Sequence, residues 1–268
     1  MIEIIRPGVS ARHTRVALFD FDGTLSLIRS GWMDVMVPMM TGILASLKTG
    51  EAEPELRIVV EDYVGRLTGQ ETVYQMIALA DAVRARGGHA LDPLAYKRMY
   101  LDSLWDRIKD RVSDLRDQRV PPDRYLVPGS RALLEDLKQR GFRLYLASGT
   151  DEEYMQDEAR LLDVERYFDG GVHGALDDYQ SFSKAILIQR ILSSGEFRGD
   201  ELLAFGDGYV EIENVKQAGG VAVGVATAEP DCQSIDEWKR QRLIGAGADY
   251  IIPHYLCHAE LMTALFAA

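Results

Sequence analysis

Short, unbroken apolar runs alternate with amphipathic stretches along the second half of the chain. Phe142 to Ala147, Glu201 to Phe205, Val221 to Val225 and Asp249 to Ile252 read as strands, as does Val16-Ala17-Leu18 near the start. Such runs have the length and bounding turns of strands buried on both faces. Between them, helical patterns cover Pro128 to Arg140, Asp151 to Leu162, Ser183 to Leu192, Val210 to Ala218, Ser234 to Ile244 and His254 to Phe266. Pro128 near a helix start, with Gly141 and Gly219-Gly220 just past helix ends, punctuates them as expected. This rhythm predicts a doubly wound parallel sheet with helices on both faces.

The texture changes between Leu27 and Arg124. Trp32, Met36, Met39, Met40, Ile43 and Leu47 mark one helical face, and further helices are expected around Pro54 to Leu67, Glu71 to Arg86 and Asp92 to Leu115. No strand pattern interrupts them, and the segment is too long for a loop in a compact domain. The expected organisation is an α/β Rossmann-like core built from residues 1–26 and 125–268. An α-helical cap domain over 27–124 is inserted after the first of these strands and returns through Pro121-Pro122.

Composition changes this picture little. With 47% hydrophobic and 27% charged residues among 268, the chain reads as an ordinary soluble globular protein. Its net charge of −12 argues against a nucleic-acid surface and an anionic membrane. It leaves room for a small phosphorylated substrate, because a local cation reverses the sign inside a cleft. Cys232 and Cys257 are too few for a disulfide framework. The first residues lack the basic and apolar regions of a signal peptide, so a cytoplasmic location is expected.

The chemistry gathers where the predicted strands end. Asp20 and Asp22 follow the first, two residues apart and so on one face of extended chain, at the sheet edge where open α/β folds bind ligands. Ser148-Gly149-Thr150 follows the next, Lys184 lies near a helix start, and Asp207 with Glu211 and Glu213 follows Leu202-Leu203-Ala204-Phe205. Each has a plainer reading. Aspartate is common in turns, serine before a helix is often a cap, and glutamate in a first turn suits the helix dipole.

Taken together, DFDGTL at 20–25, LASGT at 146–150, Lys184 and GDGYVEIENVKQAGG at 206–220 resemble the haloacid dehalogenase superfamily of phosphatases and phosphomutases. The helical insertion also looks like this family's cap. The resemblance implies that Asp20 attacks phosphorus to form an aspartyl-phosphate and that Asp22 serves as general acid and base. It implies Gly23, Ser148, Gly149 and Lys184 as phosphate-binding residues. It also implies a magnesium site of Asp20, Asp22 through its backbone carbonyl, Asp207 and Glu211.

Many relatives carry aspartate where this chain has Glu211, so that contact is expected either directly or through water. Arg29, Trp32, Gly69 and Gln70 are candidate substrate contacts, the last two on a loop between two cap helices. The expected function is a magnesium-dependent phosphomonoester hydrolase acting on a small metabolite such as a sugar phosphate or phosphoglycolate. A phosphomutase is the alternative, with a non-catalytic sugar-phosphate sensor behind it. Oligomeric state and substrate stay open.

Overall fold

A computed structural model of the chain describes residues 2–176, 178 and 183–266. Among these, seven strands form one sheet: β1 (Glu3–Ile4), β2 (Val16–Phe19), β3 (Arg143–Asp151), β4 (Gly171–Ala175), β5 (Leu202–Gly206), β6 (Val221–Val225) and β7 (Tyr250–Ile252). They lie in the order β1-β7-β6-β5-β2-β3-β4, all pairs parallel except β1 against β7. From β2 the chain steps outward to β3 and β4, then crosses to β5 on the other side of β2. The order therefore reverses between β2 and β5, and the crevice at their carboxyl ends is the natural ligand site.

Alternate residues of each buried strand serve opposite faces. Ala17 and Phe19 of β2 join Leu144 and Leu146 of β3 in the larger core, with α5 (Ser130–Gln139), α6 (Glu152–Leu161) and α10 (His258–Phe266). Val16 and Leu18 face the other way, onto Leu187 and Ile188 of α7 (Lys184–Ser193) and Val215 of α8 (Tyr209–Gln217). Leu243 of α9 (Glu237–Ala246) packs there against Ala222 and Ile251. Phe19 stacks on Phe205 with ring centroids 4.5 Å apart. This contact adds about 0.5–1.5 kcal/mol to the burial itself and locks the two strands flanking the crevice.

The insertion is four helices: α1 (Met33–Ala45), α2 (Glu53–Arg66), α3 (Thr72–Ala85) and α4 (Pro93–Arg116). Its exit and return are tied together, since Leu27 N–H donates to Tyr125 O and Val127 N–H to Leu25 O, at 2.8 and 2.9 Å. Arg111 on α4 donates to the carbonyls of Ile28 and Ser30. The helical cap thus stands on a short, hydrogen-bonded stem directly beyond the turn that carries Asp20 and Asp22.

Four elements differ from the sequence expectation, β1 among them because two residues carry no periodic signal. β4 was not anticipated, because Gly171-Val172-His173-Gly174-Ala175 has no apolar alternation; pairing with β3 makes it a strand. The last helix begins at His258, since Tyr255–Cys257 first form a single 3₁₀ turn after Pro253. β3 runs on to Asp151, so Ser148 lies in extended chain and does not cap a helix.

Candidate active site

Residues 21–26 make a tight turn off β2. The amides of Leu25 and Ser26 both donate to Phe21 O, and Gly23 N–H donates to Ser26 O. Gly23 sits at φ +74°, and a Cβ there would meet Asp207 Oδ2 at 2.3 Å. Only glycine satisfies both the turn and that approach. The buried Thr24 hydroxyl accepts from Asp207 N–H at 2.9 Å, fastening this turn to the end of β5.

Asp20, Asp22, Ser148, Gly149, Lys184 and Asp207 are thereby brought around one cavity of about 90 Å³. Arg29, Trp32, Gly69 and Gln70 also line it, together with Thr72, Gln75 and Tyr100. Gly23 does not; it serves the turn. Glu211 is fully buried behind the lining. Its Oε1 accepts from Gly208 N–H at 2.8 Å and its Oε2 from Lys184 at 2.9 Å.

Lys184 bridges two acids, with Asp20 Oδ1 at 2.6 Å on its other side. Burial opposes the lysine charge, but Asp20 and Glu211 outweigh it and hold its pKa above the ordinary lysine value. Burial likewise lifts the Asp20 carboxyl well above its usual range, against the pull of Lys184 and with the neighbouring acids adding to it. One carboxylate oxygen each from Asp20, Asp207 and Glu211 lies within 4.8 Å of the others. Such a cluster of hard oxygen donors suits magnesium in both ligand chemistry and charge.

The two aspartates of the turn have different surroundings. Asp22 Oδ2 accepts from Thr150 Oγ1 at 2.8 Å and from Ser148 Oγ at 3.0 Å. Among the described residues its buried Oδ1 has no hydrogen-bond partner, with Arg29 Nε 3.9 Å away. Ser148 therefore points at Asp22 here, and Thr150 emerges as a second hydroxyl that motif spacing alone did not single out.

Arg29 itself is held by Glu158 of α6, donating through Nε and Nη2 at 2.8–3.2 Å. Burial opposes its charge, but Glu158 first and Asp22 second raise its pKa. Burial pushes the Glu158 carboxyl up to about 7 against the pull of Arg29. On the far side of this pair lies a separate cavity of about 330 Å³ between α4 and α6.

Sequence reasoning also missed Lys239 on α9. Its Nζ lies 2.8 Å from Asp207 Oδ2 and 2.6 Å from Glu229 Oε1. Burial opposes its charge, yet Asp207 and Glu229 together raise its pKa.

The cap closes the cavity from above. Gly69, at φ +94°, brings its Cα against Gly208, where a Cβ added to Gly208 would meet it at 2.9 Å. A Cβ on Gly149 would meet Gln70 O at 2.5 Å. Gln70 Nε2 donates to Tyr209 Oη at 3.0 Å, Lys97 of α4 pairs with Asp151, and Arg116 pairs with Asp157 at 2.7 Å.

Comparison with known proteins agrees with this geometry. A predicted phosphoglycolate phosphatase from Haemophilus somnus 129PT superposes with a TM-score of 0.59 at 15% identity, over 93% of this chain and 98% of that one. A predicted phosphatase from Clostridium acetobutylicum gives 0.58 at 17%, over 95% and 99%. A CbbY variant from Rhodobacter sphaeroides, in complex with xylulose-(1,5)bisphosphate, gives 0.54 at 17%, over 90% and 95%. At such identities these likenesses speak to the fold. No curated protein matches by sequence. The model of the haloacid dehalogenase-like hydrolases matches residues 14–219, and the chain belongs to that family.

Proposed function

We propose that the protein is a magnesium-dependent phosphomonoester hydrolase acting on a small phosphorylated metabolite through an aspartyl-phosphate on Asp20. The observation that carries this reading is the unequal pair Asp20 and Asp22, facing one small cavity beside the acidic cluster. Asp20, beside Lys184, serves as the nucleophile, a recognised use of a carboxylate. Asp22 is oriented by two hydroxyls on Oδ2, which leaves Oδ1 for the reacting group. There it protonates the departing alkoxide and then takes a proton from the attacking water, a contribution of about 10²–10⁴ in rate.

Lys184 and the Gly149 amide hold the phosphoryl oxygens, and Ser148 joins them by turning its hydroxyl from Asp22. Asp20, Asp207 and the Asp22 carbonyl would hold the metal. Glu211, buried behind the lining with both oxygens hydrogen-bonded, fits a contact through water. Bound magnesium would supply charge stabilisation on the transferring phosphoryl group. The docked cap loop keeps bulk water out while the ester is cleaved.

Phosphate release from a panel of phosphorylated metabolites, with and without magnesium, tests the reading. Asp20→Asn should lose turnover while keeping its circular dichroism spectrum, and wild-type turnover in that variant would remove Asp20 as nucleophile. Isomerised phosphosugar without free phosphate would establish a mutase instead.

A further inference from the structure

The cavity lining includes two buried polar side chains to which the roles proposed above give no part. Gln75 on α3 and Tyr100 on α4 both line the cavity and are each only 4% exposed. Among the described residues, neither the Gln75 amide nor the Tyr100 hydroxyl has a hydrogen-bond partner. Both polar groups are open to the cavity, and a ligand that displaced water from them without replacing its hydrogen bonds would lose about 1–3 kcal/mol. Both groups donate and accept. They match hydroxyls, which do the same, better than they match a carboxylate, which only accepts.

Charge points the same way. Arg29 lines the cavity, yet Glu158 grips it bidentately and Asp22 Oδ1 lies 3.9 Å from its Nε. Lys184 is shared by Asp20 and Glu211, and Lys239 by Asp207 and Glu229. The remaining lining here is Trp32, Met36, Thr68, Gln70 and Thr72, none of them charged. An anionic leaving group would therefore be buried with no free counter-charge, among carboxylates, at high cost. The cavity, far below the roughly 300 Å³ of drug-sized pockets, also has to hold the phosphoryl group.

We infer that Gln75 and Tyr100 are specificity-determining residues that read the hydroxyls of a short, uncharged, polyhydroxylated leaving group. The substrate class is the phosphomonoesters of small polyols and sugars, in preference to phosphorylated hydroxy acids. This rests on the phosphatase reading above. Met36 and Trp32 offer apolar surface for the carbon chain, while the two polar groups fix its orientation.

The experiment compares kcat/KM for phosphate release, in magnesium, from glycerol phosphate, erythrose phosphate, phosphoglycolate, phosphoglycerate and, as an activated reference, the acyl phosphate acetyl phosphate. The polyol and sugar esters should exceed the carboxylate esters by about a hundredfold or more. Gln75→Leu and Tyr100→Phe should each lower the ratio of glycerol phosphate to acetyl phosphate by about tenfold. Damage to the fold alone would lower both activities and leave that ratio in place. Glu158→Gln frees the Arg29 charge and should move selectivity toward phosphoglycolate. Equal or better turnover of phosphoglycolate by the wild type overturns the inference, as does a ratio unmoved by both Gln75→Leu and Tyr100→Phe. No phosphate from any of these compounds, acetyl phosphate included, overturns the phosphatase reading itself.

Discussion

Replacing Lys184 with methionine tests how the buried acids of the site are held together. The lysine lies 2.6 Å from Asp20 and 2.9 Å from Glu211, and the cluster of Asp20, Asp207 and Glu211 has its facing oxygens within 4.8 Å. At an effective dielectric near 20, each ionised pair at that separation repels by about 3.5 kcal/mol or more. Three such pairs amount to about 10 kcal/mol, comparable to the whole stability of an ordinary fold, so the variant will take up protons to limit the loss. Breaking a buried ion pair typically costs about 3–5 kcal/mol. For a chain this long that lowers the melting temperature by roughly 6–20 °C.

The pH dependence has a fixed sign. Burial already raises the Asp20 and Glu211 pKa values in the folded state, and loss of Lys184 raises them further. The folded variant then binds protons that the unfolded chain does not, so stability increases as pH falls through that window. Urea and thermal unfolding without magnesium should show the full deficit at pH 8 and a smaller one at pH 5. Added magnesium should stabilise the variant more than the wild type, because it binds a more negative folded site. Wild-type stability at pH 8, or a deficit that grows toward pH 5, would refute the reasoning.

Gly149→Ala places a methyl group 2.5 Å from Gln70 O. It should displace the cap loop and lower kcat/KM by about 10², with faster hydrogen exchange at residues 68–72 and little change in unfolding midpoint. Thr150→Val removes one of two hydroxyls on Asp22 Oδ2, and kcat should fall roughly tenfold with KM little changed, as measured by steady-state phosphate release. Glu158, pushed by burial from its ordinary 4.5 to about 7, holds more protons folded than unfolded across that range. Its contribution to stability therefore declines as pH rises between the two values, by at most about 1.4 kcal/mol per pH unit. Glu158→Gln should remove that part of the slope in urea titrations between pH 5 and 8.

The fold was legible where burial on both faces left an apolar run, as in β2, β5, β6 and β7. It was not legible in β4, whose glycines and histidine become a strand only because β3 offers hydrogen bonds. The site follows the same division. Asp20, Asp22 and Asp207 directly follow readable strands, so a local pattern locates them. Lys239 and Glu158 sit on polar helix faces and look solvent-exposed until packing turns them inward. Tyr100 continues the stripe Tyr96, Leu104, Ile108 and Val112 and so reads as core. Gln75 was the more detectable of the two, an amide beside Met76 and one turn before Leu79 on a buried face.

The meeting of cap and core at Gly69, Gly149 and Gly208 has a consequence for how such an enzyme diversifies. These contacts are made by main chain on both sides, at positions where no side chain fits. Part of the lid's registration is therefore encoded in main chain, apart from Gln75 and Tyr100. Gln75 and Tyr100 stand one element away, on α3 and α4, and are free to change without disturbing the seal. A lineage can replace what it hydrolyses while inheriting the closure unaltered.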